Sequence, residues 1–362
     1  MNSRVSKIIN KALDGGVLTE KEGIELLSWG DLTDEAAAIR IAGRRLSEHL
    51  APKAEIHGQI GLNIGPCPRD CQFCSFAVSN KVFDQCTELP LETVVDYAQL
   101  LEEQGANAIY LMTTAQYDQQ KFLDYGKAAA KVLKKGTPLI ANVGDFDLDY
   151  AKELKKAGFT GVYHVIRMGE GVVTRCDVDK RWNTIHAAQD AGLLLGSCVE
   201  PVGPEHSVEE IVEKTIITRD MKAQFSGSMR RTAIPSSPLA KYGTVTYAHM
   251  ATIVAAVALI TGEAIMGNCT HEPNQLAAVA GANLLWAEVG SNPRDVEGKT
   301  EENRGWTVRR CRDLLHESGW SVLEGPSVMF GAAKGSKGMP VANATDAVSA
   351  ARNFLFPALC DR

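Results

Sequence analysis

From residue 57 onward, short runs of apolar, β-branched and aromatic residues alternate with longer stretches whose apolar positions recur at helical spacing. The strand-like runs are 59–64, 108–112, 138–142, 161–166, 193–199, 224–229, 263–267 and 283–287. Between and after them lie helical stretches at 91–104, 119–134, 148–157, 182–191, 208–221, 247–259, 274–280 and 307–318. Gly105, Gly158, Gly192, Gly281 and Gly319 each fall where a helix should end before the next strand begins. Eight such pairs in roughly 260 residues predict an α/β fold of the (β/α)8 TIM barrel type. A doubly wound open sheet is the alternative, but no GxGxxG follows the first strand, which counts against its dinucleotide-binding form.

The flanks read differently. Thr19 and Glu22 form a capping box, with Leu18 before it and Ile24, Leu26 and Leu27 as the apolar stripe. Residues 34–50 carry Ile39, Ala42, Leu46 and Leu50 on one helical face. After residue 324 the chain turns rich in Gly, Ala, Ser and Pro until a last helical stretch at 345–354. The expected organisation is an N-terminal helical extension (1–52), the barrel (53–323) and a C-terminal appendage (324–362) that packs on it.

Composition narrows the function classes. With 45% hydrophobic and 23% charged residues in 362, the chain can bury a large core. Net charge is −6 with Lys and Arg scattered, so no basic stripe points to nucleic acid. The most apolar stretch, 250–260, is too short to span a bilayer, and Met1-Asn2-Ser3-Arg4 opens no signal-peptide core. The expectation is a cytoplasmic protein with no membrane partner. In that compartment thiols stay reduced, and a tight Cys cluster means metal or catalysis more often than a bridge.

Such a cluster follows the first strand: Cys67, Cys71 and Cys74, spaced CxxxCxxC on a loop. Three thiolates can hold three irons of a 4Fe-4S cube and leave the fourth without a protein ligand. An open metal position is what lets a substrate or cosubstrate chelate directly. Phe73, just before the third Cys, would shield such a cluster from water. The competing readings are ordinary buried cysteines or a zinc knuckle, and zinc sites take four ligands in paired CxxC or Cys/His sets. Here the next Cys, Cys86, comes only after a polar segment without His.

CxxxCxxC with an aromatic residue before the third Cys resembles the radical S-adenosylmethionine (SAM) superfamily. The resemblance runs over residues 8 to 323 and is similar to the biotin-synthase-like branch at Gly16-Val17-Leu18-Thr19-Glu20-Lys21-Glu22, Leu62-Asn63-Ile64-Gly65-Pro66-Cys67, Ala191-Gly192-Leu193, Ser237-Pro238-Leu239 and Ala280-Gly281-Ala282-Asn283. That branch includes the radical-SAM hydrogenase maturase and methylornithine synthase. The resemblance implies a cluster at the barrel's C-terminal mouth and SAM chelating the open iron. It also implies a low-potential donor of flavodoxin or ferredoxin type, reductive SAM cleavage, and a 5′-deoxyadenosyl radical that takes hydrogen from a small-molecule substrate.

The family's SAM contacts carry over unevenly. The Gly-Gly-Glu expected after the second strand is absent, leaving Thr113, Thr114 and Gln116 as substitutes. Asn142 and Arg181 match a polar SAM-facing position and an Arg that pairs with the SAM carboxylate; for Arg181 the alternative is a solvated helix residue. Arg167 replaces an acidic position, which suggests an anionic substrate group. Glu200 and His271-Glu272 stand at mouth ends of strands, where plain hydrogen-bonded loop roles compete with catalytic ones. Arg230-Arg231 is either a carboxylate clamp or a surface pair.

Biotin synthase holds a second, 2Fe-2S cluster on inner-strand Cys. Its matching positions here, 110–112, 141–143 and Gly196, contain none, so the resemblance excludes biotin synthase proper. Cys198 and Cys269 are candidates for another cluster or for sulfur transfer, against the plainer reading of small buried side chains. Cys86, Cys176, Cys311 and Cys360 show no ligand spacing and receive no role. The leading reading is a radical SAM enzyme acting on a small, carboxylate-bearing metabolite or cofactor precursor. A lipoyl-synthase-like sulfur insertion, a non-catalytic iron–sulfur scaffold or electron carrier, and a zinc-stabilised barrel stand beside it.

Overall fold

The computed structural model describes residues 2–271 and 274–331. Three helices come first: α1 (Ser3–Leu13), α2 (Glu20–Leu27) and α3 (Asp34–Leu50). The barrel strands are β1 (Lys53–Gly61), β2 (Ala108–Met112), β3 (Leu139–Asn142), β4 (Gly161–Tyr163), β5 in two segments (Leu194–Gly196 and Val199–Val202), β6 (Phe225–Arg230), β7 (Gly267–Cys269) and β8 (Leu284–Gly290). They alternate with α4 (Leu91–Glu103), α5 (Gln119–Val132), α6 (Leu148–Lys156), α7 (Val178–Asp190), α8 (Val208–Asp220), α9 (Tyr247–Thr261), α10 (Gln275–Val279) and α11 (Val308–Glu317).

Parallel pairing runs in chain order from β1 to the first segment of β5, resumes from its second segment to β8, and returns to β1. The two ends of that path are consecutive in the chain, so the ring closes through the break at Ser197-Cys198. This is the predicted (β/α)8 barrel. The five glycines expected at helix ends all take positive φ, between +71° and +122°. The capping box at Thr19 and Glu22 is formed.

The two largest shifts are at strand starts. β1 begins at Lys53, ahead of the predicted start, because Glu55, His57 and Gln59 face the barrel interior and are all buried. Their neighbours Ala54, Ile56 and Ile60 pack outward beneath the helices, so the strand alternates polar-in and apolar-out. β7 starts at Gly267 because α9 ends at Gly262 (φ +54°), and a short 3-10 turn occupies 262–264 first.

The core has three parts. One lies between β1–β4 and the helices around them. A second joins α1–α3 to α8, α9 and α10. The third fills the barrel with Tyr110, Tyr163, Phe225, Trp286, Met329 and Phe330. Helix α9 is apolar all round because it is covered on both sides; a Cβ on Gly43 of α3 would sit 2.7 Å from the Ala255 backbone. The window Tyr247–Ala264 is long and apolar enough to cross a membrane by composition, and 67% of it is buried inside the molecule. The predicted helix at 345–354 and Cys360 lie outside the described residues.

Candidate active site

At the C-terminal end of the strands lies a cavity of about 1080 Å³, open solvent included. The loop from Gly65 to Val78 forms part of its lining, and its shape follows from where its backbone groups are satisfied. Cys67 N–H donates to Phe76 C=O at 2.6 Å, and Val78 N–H donates back to Cys67 C=O at 3.2 Å, closing the loop on itself. Asp70 takes φ +52° at the turn. Ser75 N–H donates to Pro293 C=O at 2.7 Å after β8, and the Ser237 hydroxyl after β6 donates to Gln72 C=O. Asn80 Nδ2 bonds Gln72 C=O and Cys74 C=O at 3.1 and 2.8 Å.

That pinning turns Cys67, Cys71 and Cys74 onto one cavity, together with Phe73 and Phe76. Burial and the nearby Cys67 push the Cys74 thiol up to about 12. The Cys71 thiol is raised first by donating a hydrogen bond to Cys176 and then by burial. Cys176 also lines the cavity, and Arg181 Nη2 lies 3.8 Å from its sulfur. The hydrogen bond it accepts from Cys71 lowers the Cys176 thiol, against the opposing effect of burial and with the help of the Arg181 charge. Sequence spacing gave Cys176 no role; the fold brings it to the triad.

The predicted polar residues mostly converge. Thr113, Thr114, Asn142, Arg167, Arg181 and Glu200 line the cavity, whereas Gln116 does not. Thr114 exchanges hydrogen bonds with Asn63 at 2.9 Å, while the Thr113 hydroxyl is buried with no hydrogen-bond partner. Arg181, in the first turn of α7, is only 5% exposed, which removes the solvated-helix reading. Its guanidinium lies 3.0 Å from His164 Nε2, 3.5 Å from Asp145 and 3.6 Å from Glu170. Burial and the Arg181 charge push His164 down to about 4, so it is neutral at pH 7. Arg167 reaches Glu200 at 3.6 Å and Glu170 at 3.9 Å; burial opposes its charge, but those carboxylates outweigh it and raise its pKa.

His271 lines the cavity with Nε2 2.8 Å from Glu288, and Arg294 Nη2 bonds both Glu288 oxygens at 2.7 and 2.8 Å. Burial works against the Glu288 charge, but Arg294 and His271 hold its carboxyl below the usual range. Glu272 lies outside the described residues. Arg230 and Arg231 do not reach the cavity. Arg231 is buried, bonding Glu205 and the carbonyls of Leu239 and Gly243, and Arg230 stacks on Tyr247. Cys198 bonds the Tyr163 hydroxyl at 3.1 Å and packs with Cys269 in the cluster inside the barrel, but neither cysteine lines the cavity.

Sequence reasoning missed Asp145, His164, Glu170, Glu288 and Arg294. The one available signal was the alternation Leu284, Trp286, Glu288, which puts an acid at the mouth end of an inward-facing row.

The donor set suits an iron–sulfur cluster with a zwitterionic partner. Three thiols face one space, and Thr113 Oγ1, Arg69 Nε and Arg181 Nε, on residues that line it, are buried without hydrogen-bond partners. Buried polar atoms are nearly always matched, so such a group of exceptions marks a place for a ligand.

Comparison with known proteins agrees with this chemistry. Residues 65–216 match the model of the radical SAM superfamily. The chain is 25% identical over 230 residues to the biotin synthase of Carboxydothermus hydrogenoformans, covering 61% of this chain and 70% of that one. It is 30% identical over 154 residues to the biotin synthase of Nautilia profundicola, covering 41% and 55%. Among solved structures, the FeFe-hydrogenase maturase HydG from Carboxydothermus hydrogenoformans superposes with TM-score 0.72 at 19% identity, covering 91% of this chain and 81% of that one. Methylornithine synthase (PylB) gives TM-score 0.72 at 16% identity, covering 88% and 97%. At those identities the two structures show a shared fold.

Proposed function

Starting from a radical SAM enzyme with biotin-synthase-like relatives, we propose that the chain acts on a small, carboxylate-bearing metabolite or cofactor precursor held at the barrel mouth. Cys67, Cys71 and Cys74 would hold a 4Fe-4S cluster with one open iron. When bound, the cluster and SAM supply the one-electron chemistry that yields a 5′-deoxyadenosyl radical, with electrons from a flavodoxin- or ferredoxin-type donor. Thr113 and Asn142 offer oxygens to the SAM amino group, and Arg181 offers its guanidinium to the carboxylate. Phe73 and Phe76 keep water from the sulfurs. Arg167, flanked by Glu200 and Glu170, offers the substrate a cation within a near-neutral setting, suited to a group that carries both charges. The reaction class is a rearrangement, a C–C or C–S bond change, or a sulfur insertion, in the cytoplasm.

The single observation behind this reading is the meeting of three loop thiols with unmatched polar atoms in one cavity. A lipoyl-synthase-like second cluster has less support, since Cys198 and Cys269 are buried among the apolar and aromatic side chains that fill the barrel and do not line the cavity. Anaerobic reconstitution tests the proposal. Wild-type protein should show iron–sulfur absorption and form 5′-deoxyadenosine from SAM when dithionite is present. Cys71→Ala should lose both and keep its melting temperature. Cleavage retained in that variant refutes the site, and a cluster without any SAM cleavage returns the electron-carrier reading.

A further inference from the structure

We propose that Cys71 and Cys176 form an oxidation site, closing into a disulfide in the cluster-free chain and so withdrawing Cys71 from metal binding. The disulfide needs no metal; only its effect on cluster loading rests on the reading above.

Cys176 stands in the loop after β4, remote in sequence from the cysteine triad, and lines the same cavity as Cys71. The two loops are stitched together on either side of these cysteines. Gln72 N–H donates to Val173 C=O at 2.9 Å, and Arg175 N–H donates to Arg69 C=O at 2.7 Å. The Arg175 guanidinium adds an ion pair to Asp70 at 3.1 Å. Within the second loop, Thr174 Oγ1 accepts from the N–H groups of Gly171 and Cys176 at 3.0 and 3.3 Å and donates to Glu170 at 2.8 Å. That turn needs Gly171 at φ +78° and presents the Cys176 thiol to the cavity. Cys71 lines the same cavity, so an oxidant small enough to enter the mouth meets both sulfurs together.

The chemistry closes without further reagents. With hydrogen peroxide, one sulfur attacks the O–O bond to give a sulfenic acid and water; the second sulfur then displaces the sulfenic oxygen as a second water. Two thiols and one peroxide become one disulfide and two waters. With glutathione disulfide the same pair forms by exchange and releases two glutathione thiols.

The test uses the full chain, freed of metal and kept reduced, then exposed to hydrogen peroxide or glutathione disulfide and digested without reduction. Mass spectrometry should find the Cys71 peptide linked to the Cys176 peptide as the main product, a mapping that needs no variant. Iron uptake without added reductant should fall roughly tenfold after oxidation and recover with dithiothreitol. Cys176→Ser should load equally before and after exposure. Cys71–Cys74 or Cys67–Cys71 as the main linkage, a free Cys176, or a Cys176→Ser chain blocked like wild type would overturn the proposal. A chain that forms the Cys71–Cys176 link yet takes up no iron when reduced upholds the thiol pair and rejects the cluster reading.

Discussion

The base and the mouth of the barrel bury similar chemistry in opposite ways. At the base, Glu55 Oε2 lies 2.8 Å from His57 Nε2, and His57 Nδ1 lies 3.0 Å from the Tyr110 hydroxyl. The other Glu55 oxygen accepts from the N–H groups of Val328 and Met329 at 2.8 and 3.2 Å, and Phe330 closes the space against His57, Tyr110 and Phe225. The polar side-chain atoms of Glu55, His57 and Tyr110 each have a partner. At the mouth, Asp145, His164, Arg181 and Glu170 form an equally charged group, but Asp145 Oδ1 and Arg181 Nε have only ion-pair neighbours at 3.3 to 3.6 Å and no hydrogen bond, and His164 and Arg181 line the cavity. Burying a charge does not by itself make a site. A site is marked by buried polar atoms arranged around space and left incomplete, because leaving them so costs stability that only a ligand recovers.

Two substitutions should separate the ends. Phe330→Ala opens a hole among aromatic rings at a fully buried position and should cost about 3–5 kcal/mol in denaturant unfolding. It should leave iron content and SAM cleavage unchanged at temperatures where the protein is folded. A loss below about 1 kcal/mol, or lost iron, would mean that the base does not act as an independent plug. Arg181→Gln keeps an amide near His164 but removes the charge. SAM binding, read from its perturbation of the reduced cluster's EPR spectrum, should weaken about 10–100-fold, the worth of a charged hydrogen bond. Iron content should not change. If affinity stays within about twofold and only the melting temperature falls, Arg181 is a scaffold for Asp145 and Glu170 alone.

The same contrast explains what could be read from the chain. The barrel and the Cys67-Cys71-Cys74 loop were legible because both are local signals, periodicity in one case and spacing in the other. β1 was cut short because Glu55 and His57 look like loop residues until the barrel supplies an interior for them to face. β7 was displaced toward its helix because Asn268 and Cys269 are not strand-like; Asn268 is held by bonds to the Val254 and Gly281 carbonyls, which no local pattern encodes. Asp145 follows β3, His164, Glu170 and Cys176 follow its neighbour β4, and Glu288 and Arg294 belong to β8 and its loop, so each group is assembled by tertiary pairing that no local pattern encodes. Arg231 looked like a ligand clamp and instead ties down its own loops.

Acid titration should set the ends apart most finely. His164 is held neutral by burial and by the Arg181 and Arg167 charges, against the pull of Asp145, with a native pKa of about 4 rather than 6.5. Between those values the unfolded chain binds a proton that the folded chain refuses, so stability falls as pH drops from 6.5 toward 4. His271, lowered mainly by burial and Arg294, works in the same direction at the same end. The base behaves otherwise. Burial would raise the Glu55 carboxyl, but His57 holds it below 4.5, so its contribution is intact above pH 4.5 and is lost only as pH falls through that lowered value. The window from pH 6.5 to 4.5 therefore reports on the mouth histidines, together with His206, which burial also lowers, and not on Glu55. Urea midpoints at pH 6.8 and 5.0 should differ by on the order of 1 kcal/mol more in wild type than in His164→Gln. Glu55→Gln should keep the wild-type difference while lowering both midpoints. Equal differences in wild type and His164→Gln would mean that the mouth tolerates a protonated His164, and that its incomplete bonding does not exclude another cation.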